Sequence, residues 1–428
     1  MRLADWKTKF FHPGSFAKNS AILFVGTMLV SVLNYAFHLI IGRVVSAEVY
    51  GEAEAIISII NIISVPATTL AMVATKYAAA CNADDNHVGS YEIFQYLNKK
   101  VLRYGLPIFL GMVISTPWVG SFLNIENNLA LLLLWIAMLL SFFSAITSGI
   151  LRGWQKFGDI NKASIWGVAV KLAAGIFLVK IGLALNGIVA SFVLGAGATY
   201  VATIIALRFG RLKKTLGSEA ACANTVDFGA LKRYVIPVFI GNLAIIILAN
   251  GDMVLAKHNL DALSAGQYGA LTVVSKIIFF ATGILASVLF SMAAENNHRG
   301  QSSRKILLLA LGGVLGASLL ATTIYFSYPA FILSLLFGHK YQAVASYLGW
   351  FAVAVTLFSL ANVMFQYLIS IHRTRIAYAL LGVAGGMTGM IFFYGETISS
   401  ILTIVIGAQA LAVVLGVGFL WAGQRKKI

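Results

Sequence analysis

The chain has 428 residues, of which 59% are hydrophobic and only 11% are charged. Soluble domains hold about 45–50% apolar and about 25% charged residues, so this composition excludes a soluble globular protein. The apolar residues form long continuous runs instead of alternating with polar ones, which indicates membrane-spanning helices and excludes a β-barrel. The net charge of +16 is better explained by membrane topology than by binding to nucleic acid.

The first segment, residues 1–19, mixes aromatic side chains such as Trp6 and Phe10 with basic residues. No small-residue cleavage site follows the first apolar run, so the segment is not a secretory signal. We expect a cytoplasmic amphipathic lead that lies on the lipid surface. A disordered tail is the alternative that this composition leaves open.

Twelve apolar segments are long enough to cross a bilayer. They lie near residues 20–42, 53–75, 102–122, 129–151, 160–179, 183–207, 234–256, 271–293, 306–325, 347–371, 376–394 and 398–421. The one long polar stretch between them, the basic segment 208–233, divides the chain into lobes at 20–207 and 234–422, followed by a tail at 423–428. Since each lobe has an even number of spans, both enter the membrane in the same direction. The predicted fold is an all-α integral membrane protein with twelve transmembrane helices in two parallel six-helix lobes around a central cavity.

Positive charge alternates from loop to loop along the chain. The loops on one side hold 25 of the 31 lysines and arginines, the opposite loops hold four, and Lys171 and Lys276 lie inside spans. The positive-inside rule therefore predicts a multi-pass protein of the cytoplasmic (inner) membrane with both termini in the cytoplasm.

A hexapeptide, Ser46–Gly51, recurs 218 positions later as Ser264–Gly269 with the pattern SAxxYG. Both copies fall in the first outer loop of their half. Internal duplication is typical of transporters, whose substrate sites lie between the two repeats.

Sequence motifs for enzymatic chemistry are missing from the chain. It has no GxxxxGK[ST] phosphate loop, HExxH, paired CxxC or GxSxG, so we predict a transporter with no cofactor and no ATP motor of its own. Uphill transport would use a gradient of protons or sodium ions, or the work of a partner.

Charged groups inside a span are costly and usually face a cavity. Lys171 lies mid-span with Gly167 and Gly175 one turn to either side, where small neighbours leave room for a phosphate or carboxylate. Lys276 lies about two turns inside the eighth span. Snorkelling to the interface is the alternative role for both lysines, and neutralising a buried acid is a further alternative for Lys171.

A second polar group lies in the outer half of the seventh span. Asp252 follows Asn250 and a glycine, which predicts a locally opened helix whose carboxylate could carry a proton or bind sodium. At the 218-residue offset Asp252 corresponds to Asn34, which shares one helix face with His38. These four residues are the predicted ion-coupling groups, and packed hydrogen-bonded polar residues are the alternative interpretation.

The start of the second span is also charged. Glu52 and Glu54 lie near Arg43, which indicates either an outer ion pair or a gate. Pro66 lies mid-span and predicts a kink in that helix.

Three stretches resemble bacterial polysaccharide-export flippases of the O-antigen and teichoic-acid type. Residues 42–79 resemble their first two spans, with a G-R-x-L-[ST]-x-x-x-[YF]-G element in between. SAGQYGALTVVSKIIFF resembles their junction of spans seven and eight, and GILRGWQKF resembles the Arg-Gly element after span four. These flippases belong to the multidrug, oligosaccharidyl-lipid and polysaccharide exporter superfamily.

The resemblance implies alternating access and a cargo of polyprenyl-diphosphate-linked oligosaccharide moved to the outer leaflet. It also implies cationic cavity residues that meet the diphosphate, for which Lys171, Lys276 and Arg43 are our candidates. The expected partners are membrane lipid, the lipid-linked sugar and polysaccharide biosynthesis proteins, and not nucleic acid. A multidrug or toxin antiporter of the same superfamily is the alternative function, and a membrane glycosyltransferase or polymerase is the alternative of another class.

Overall fold

The computed structural model describes residues 13–83, 87–208, 228–298, 304–371 and 373–422. Within these ranges the chain forms fifteen α-helices and no β-strand. They are α1 (Pro13–Val44), α2 (Ala47–Ile63), α3 (Val65–Ala83), α4 (His87–Lys100), α5 (Leu106–Leu123), α6 (Asn128–Gly153), α7 (Phe157–Leu178), α8 (Ala184–Leu207), α9 (Phe228–Asn259), α10 (Ala262–His298), α11 (Arg304–Ser327), α12 (Pro329–Phe337), α13 (Leu348–Ser370), α14 (Arg375–Tyr394) and α15 (Ile398–Ala422).

The membrane-spanning segments agree with the predicted ones. Among the described residues, eleven helical segments are long and apolar enough to cross a bilayer. The longest, Phe157–Leu207, contains both α7 and α8, joined by a turn of π-helix in which Gly182 has φ +91°. The all-α membrane fold is therefore confirmed. Large apolar side chains such as Leu320, at 67% exposure, and Phe393, at 72%, lie on its outside, as a lipid environment requires.

Some predicted segments cannot be compared with the structure. Residues 1–12 of the amphipathic lead, 209–227 of the linker and the tail 423–428 lie outside the described residues. The division into residues 20–207 and 234–422 stays a prediction.

The second predicted span is interrupted close to its proline. Helix α2 ends at Ile63, and Ser64, with φ −79° and ψ −4°, separates it from α3. Pro66 lies in the first turn of α3, where a missing N–H costs nothing, whereas the same ring inside one continuous helix would clash with the preceding turn. The break is thus located two residues before the proline.

The chain forms two compact units. The first contains residues 1–37, 66–116 and 129–226. In its described part α7 packs along α8, and a second core brings α3 against α6. There the glycines of α6 allow close approach, since a Cβ at Gly149 would lie 2.8 Å from the Ala74 Cβ, and one at Gly153 would lie 2.7 Å from the Ala78 Cβ.

The second unit contains residues 38–65, 117–128 and 227–428. Helix α2 packs against both α9 and α10, and α13 packs against α10, α11 and α15. Hydroxyl groups tie these helices together, because Tyr325 donates to the Val274 carbonyl over 2.9 Å, and Thr322 and Thr356 lie 3.3 Å apart. This packing fixes α2 beside the helices that carry Asp252 and Lys276.

The two copies of the hexapeptide contact each other in the second unit. A Cβ at Gly51 would lie 2.6 Å from the Gly266 nitrogen, and a Cβ at Gly266 would overlap the Ala47 carbonyl oxygen. The tyrosines of the two copies, Tyr50 and Tyr268, are both fully buried. The glycines are therefore required because the backbones of α2 and α10 touch here.

The two copies begin their helices differently. Ser46 is the N-cap of α2 and accepts from the Val49 N–H, as serine commonly does. In the second copy the cap is Asp261, which accepts from the Ser264 N–H at 2.9 Å and from its hydroxyl at 2.6 Å. These hydrogen bonds lower the pKa of Asp261 below its ordinary value.

Candidate functional site: two buried charged clusters

The first unit holds a buried lysine inside a segment that is long and apolar enough to cross a membrane. Lys171 of α7 is only 7% exposed. Its ammonium group donates to the side-chain oxygen of Asn34 on α1 and lies 4.6 Å from the ring centres of both Phe37 and Phe192. Ring faces and an amide oxygen attract a cation without cancelling its charge, and these contacts hold the Lys171 ammonium in position. We call Lys171, Asn34, Phe37 and Phe192 the Lys171 cluster.

Glycines determine how close the neighbouring helices come to Lys171. A Cβ at Gly195 of α8 would lie 2.8 Å from the Cβ of Lys171, and a Cβ at Gly175 would lie 2.6 Å from the Phe37 ring. Gly167 contacts Thr199 and the Gly195 carbonyl in the same way. The expectation that Gly167 and Gly175 leave open space beside Lys171 is therefore wrong, because α8 and Phe37 occupy that space.

The second unit holds a cluster of opposite character. His38 of α1 and Glu54 of α2 form a close pair, with His38 Nδ1 2.6 Å from Glu54 Oε1, and Glu54 is 6% exposed. A hydrogen bond this short between a ring nitrogen and a carboxylate is charge-assisted when the ring is protonated. The pair is thus able to hold a proton between its two side chains.

Asp252 of α9 lies in the same unit and is also buried, at 6% exposure. Tyr268 donates its hydroxyl to Asp252 Oδ2 over 2.7 Å, while Oδ1 has no hydrogen-bond partner in the described part of the chain. The expected local opening of the helix is wrong, since α9 is continuous here. Asn250 Nδ2 donates to the Ile246 carbonyl one turn earlier over 3.0 Å, and the Tyr268 hydroxyl donates to the Asp252 carboxylate. Because both polar side chains have these partners, the α9 backbone does not need to open to supply them.

Lys276 of α10 supplies the positive charge of this cluster. Its ammonium group donates to Asn250 Oδ1 over 3.3 Å, and it interacts electrostatically with both Asp252 and Glu54. Asn61 of α2 donates to the same Asn250 oxygen over 3.2 Å. We call the set His38, Glu54, Asn61, Asn250, Asp252, Tyr268 and Lys276 the acidic cluster. With a neutral histidine and both carboxylates ionised, its charge is one negative, so one proton makes it neutral.

The charged residues near the start of α2 do not pair as expected. Glu52 lies 3.8 Å from the Lys257 ammonium, and Arg43 donates to the carbonyl oxygens of Leu335 and Leu336 at the C-terminus of α12. The predicted ion pair between Arg43 and the glutamates is therefore wrong. Residues two apart on a helix face opposite sides, which separates Glu52 from Glu54, and the helix dipole holds the guanidinium elsewhere.

The structure thus regroups the predicted residues. It places Asn34 with Lys171, and it places His38, Asn250 and Asp252 with Lys276, which we had predicted as a cargo group. Sequence analysis missed Phe37, Phe192, Asn61 and Tyr268. Tyr268 belongs to the hexapeptide repeat, so a buried tyrosine in both copies was an available signal, whereas Phe192 is one of 28 phenylalanines and nothing distinguishes it.

Comparisons with known proteins identify the family. A family model described as "Polysaccharide biosynthesis protein" matches residues 16–295. No curated protein sequence matches the chain.

Several solved structures share the fold over nearly the whole chain. The inward-facing conformation of a multidrug resistance MATE family transporter of the MOP superfamily has a TM-score of 0.70 and 13% identity, covering 95% of this chain and 98% of the other. A MATE structure in complex with MaD5 has a TM-score of 0.63 and 13% identity, covering 95% and 94%. An outward-facing MATE structure has a TM-score of 0.57 and 15% identity, covering 95% of each. Identity at this level shows a common fold.

Proposed function

We propose that this chain, which belongs to the polysaccharide biosynthesis protein family and shares its fold with a transporter of the MOP superfamily, is a flippase for lipid-linked oligosaccharide. In this proposal it moves a polyprenyl-diphosphate-linked oligosaccharide from the inner to the outer leaflet by alternating access. The enzyme alternative, a glycosyltransferase or polymerase, is set aside because the family and the fold are those of transporters.

The observation that carries the cargo proposal is the buried Lys171 cluster. A diphosphate carries at least two negative charges, and a lysine ammonium is a common phosphate-binding group. A charged side chain inside a membrane costs folding free energy, and such residues usually have a functional role. The contacts with Asn34 and the rings of Phe37 and Phe192 fix its position in advance, so little conformational entropy is lost when an anion arrives.

The alternative cargo is an organic cation. The solved structures of similar fold include multidrug transporters, and the acidic cluster contains two buried carboxylates that could attract a cation. Lys276, however, already lies within electrostatic range of both carboxylates. A cationic drug would have to displace or outcompete this tethered ammonium, which makes the anionic cargo the better proposal.

A flipping assay separates the two cargoes. The full chain is reconstituted in vesicles with a fluorescent polyprenyl-diphosphate disaccharide, and the outer-leaflet fraction is measured by quenching from outside. Lys171→Ala should slow flipping at least ~tenfold, since a hydrogen bond to a charged group contributes about 1.5–3 kcal/mol. Lys171→Arg should retain part of the activity.

The matched control is Lys180→Ala, an exposed lysine beyond the end of α7, which should flip at the wild-type rate. A second arm loads the vesicles with a fluorescent organic cation. Wild-type protein that exports the dye but leaves the disaccharide in place would contradict the flippase proposal and favour the multidrug alternative.

We further propose that the coupling ion is a proton held in the acidic cluster. The cluster becomes neutral by taking up one proton, and the short His38–Glu54 contact provides a place for it. Sodium would need the position between the carboxylates in which Lys276 already supplies a cation. The other titratable groups that interact with Glu54 are the Tyr50 and Tyr341 hydroxyls and the Lys276 ammonium.

The coupling proposal is tested with ion gradients in the same vesicles. An imposed pH difference should accelerate flipping by wild-type protein, and a sodium difference at constant pH should not. Glu54→Gln and Asp252→Asn should each remove the response to pH, while Glu126→Gln, an exposed glutamate, should keep it. Acceleration by sodium alone would contradict the proton assignment while leaving the cargo proposal intact.

The location and partners follow from the same proposal. The loop charges favour the inner membrane with both termini in the cytoplasm, where lipid-linked sugars are assembled before export. Polysaccharide biosynthesis proteins that make and polymerise the cargo would then be the functional partners. Labelling of single cysteines placed in the 208–233 linker, accessible only after permeabilisation, would support this orientation.

A further inference from the structure

A groove lies between α7 and α8 at the ends that the loop charges assign to the cytoplasm. Its volume is about 610 Å³, which is within the range of ~300–1,000 Å³ typical of small-molecule pockets. The residues that matter for its chemistry are Lys156, Asp159, Lys162, Trp166, Ile205 and Arg208. All of them belong to the first unit, and the groove is separate from the Lys171 cluster, none of whose residues line it.

The mouth of the groove is strongly positive. Lys156, Lys162 and Arg208 face a single acid, Asp159. In the described part of the chain neither lysine, nor Arg208, forms an ion pair with a carboxylate. Lys156 is held over the Trp154 ring at 4.6 Å, and the N-terminus of α7, which begins at the next residue, adds the positive end of a helix dipole.

The inner end of the groove is apolar. Trp166 is 60% exposed and Ile205 is 69% exposed. At 1.5 Å per residue, Trp166 lies about 14 Å from the start of α7 and Ile205 lies about 3 Å from the end of α8. The headgroup region of each leaflet is about 5–8 Å thick. The groove therefore begins at headgroup depth, where Ile205 lies beside the cations, and reaches the hydrocarbon region at the exposed Trp166.

We propose that this groove is a binding site for an anionic phospholipid of the cytoplasmic leaflet. The phosphate would lie among Lys156, Lys162 and Arg208, and the first methylene groups of an acyl chain would lie against Trp166 and Ile205. Charge complementarity selects an anion, and the apolar inner end selects one that carries a chain. The proposal commits to a resident membrane lipid and does not depend on the cargo.

Two other occupants are less compatible with the groove. The linker that follows Arg208 carries three further basic residues up to Lys214, so it does not complement a positive mouth. A soluble phosphate has no apolar part, so it would leave the exposed Trp166 indole and Ile205 without a contact.

The test uses the full chain in nonionic detergent, titrated with dioctanoyl phosphatidylglycerol and, separately, dioctanoyl phosphatidylcholine. Bound lipid is counted by native mass spectrometry, and the midpoint of thermal unfolding is followed. Wild-type protein should bind phosphatidylglycerol with a rise in the midpoint and should bind phosphatidylcholine at least tenfold more weakly. Lys162→Glu/Arg208→Glu should lose at least tenfold in phosphatidylglycerol affinity, and Trp166→Ala should lose a smaller factor.

The matched control is Lys76→Glu/Arg103→Glu, which changes the net charge equally at two exposed residues of the same unit outside the groove. It should bind phosphatidylglycerol like wild-type protein. If the charge reversal impairs folding, the neutral variant Lys162→Gln/Arg208→Gln replaces it and should lose several-fold in affinity.

Three results would overturn the proposal. One is equal loss of affinity in the groove variant and the control, which would indicate general charge attraction. A second is displacement of the lipid by millimolar inorganic phosphate, which would indicate a soluble-anion site. The third is tighter binding of a polyprenyl diphosphate than of phosphatidylglycerol, which would make the groove a cargo site.

Discussion

Lys171 and Lys276 lie inside two predicted spans and have the same charge but different surroundings. Lys171 contacts an amide oxygen and two aromatic rings in the first unit, whereas Lys276 lies among two carboxylates and an asparagine in the second. The amide and ring contacts position the Lys171 ammonium without neutralising it, whereas the Lys276 ammonium compensates part of the charge of two carboxylates. The neighbours of each lysine are therefore the basis on which we propose cargo binding for Lys171 and charge compensation for Lys276.

The largest expected difference is in stability. Lys276→Met leaves the buried Asp252 carboxylate without its ammonium partner and leaves Glu54 with His38 alone, and breaking a buried pair by removing one partner costs about 3–5 kcal/mol. We expect a clear drop in the midpoint of thermal unfolding in detergent. Adding Asp252→Asn to the same chain should recover most of the loss. A single Lys276→Met variant as stable as wild-type protein would show that the acidic cluster does not need its lysine.

The next effect concerns the backbone contact that holds α2 beside α10. Gly266→Ala would place a methyl group on the Ala47 carbonyl oxygen, and forced overpacking of this kind costs about 1–3 kcal/mol. Separation of the helices would also move Glu54 away from Lys276 and weaken the pH response of transport.

The control for this contact is Gly283→Ala in the same helix, where a Cβ meets nothing within 4 Å. Alanine is preferred over glycine in helices, so Gly283→Ala should be neutral or up to about 1 kcal/mol more stable. Equal thermal midpoints for the two alanine variants would argue against a rigid contact between the hexapeptide copies.

Sequence reasoning predicted the spans well because a bilayer imposes one strong requirement on them. Runs of about 20 apolar residues had to be helices, and α6, α13 and α15 begin and end within two residues of their predicted limits. The same rule could not predict α4, which is amphipathic, or α12, which has nine residues. Helix α4 is too polar, and helix α12 is too short, to be selected by a search for long apolar segments.

The candidate site was harder to predict because pairing depends on which helices pack together. Asp252, Asn250, His38 and Lys276 were identifiable as costly polar residues inside spans. Their grouping needed the contact of α2 with α9 and α10, which no local pattern encodes. The hexapeptide repeat was the one signal of that contact, and it was interpreted as evidence of duplication instead of proximity.

A smaller difference in stability is expected between two variants that each remove one buried tyrosine hydroxyl, one inside the acidic cluster and one outside it. Tyr268→Phe removes the hydrogen bond to the Asp252 carboxylate, and bonds to charged groups contribute about 1.5–3 kcal/mol. Tyr325→Phe removes a bond to the Val274 carbonyl and should cost only about 0.5–1.5 kcal/mol. Thermal unfolding of the two variants side by side measures the difference. A larger loss for Tyr325→Phe would mean that Asp252 is not charged in the resting protein.

The smallest expected change in stability belongs to Lys171. Lys171→Met keeps a long flexible side chain against the rings of Phe37 and Phe192. The new thioether–aromatic contacts contribute about 0.3–1.5 kcal/mol. The lost cation–π contacts contribute a similar ~0.5–2 kcal/mol. Removing a buried charge also removes its desolvation cost. We therefore expect a thermal midpoint near that of wild-type protein combined with flipping as slow as in Lys171→Ala. If Lys171→Met were instead as unstable as Lys276→Met, both lysines would serve the structure, and the contrast between a cargo cation and a compensating one would disappear.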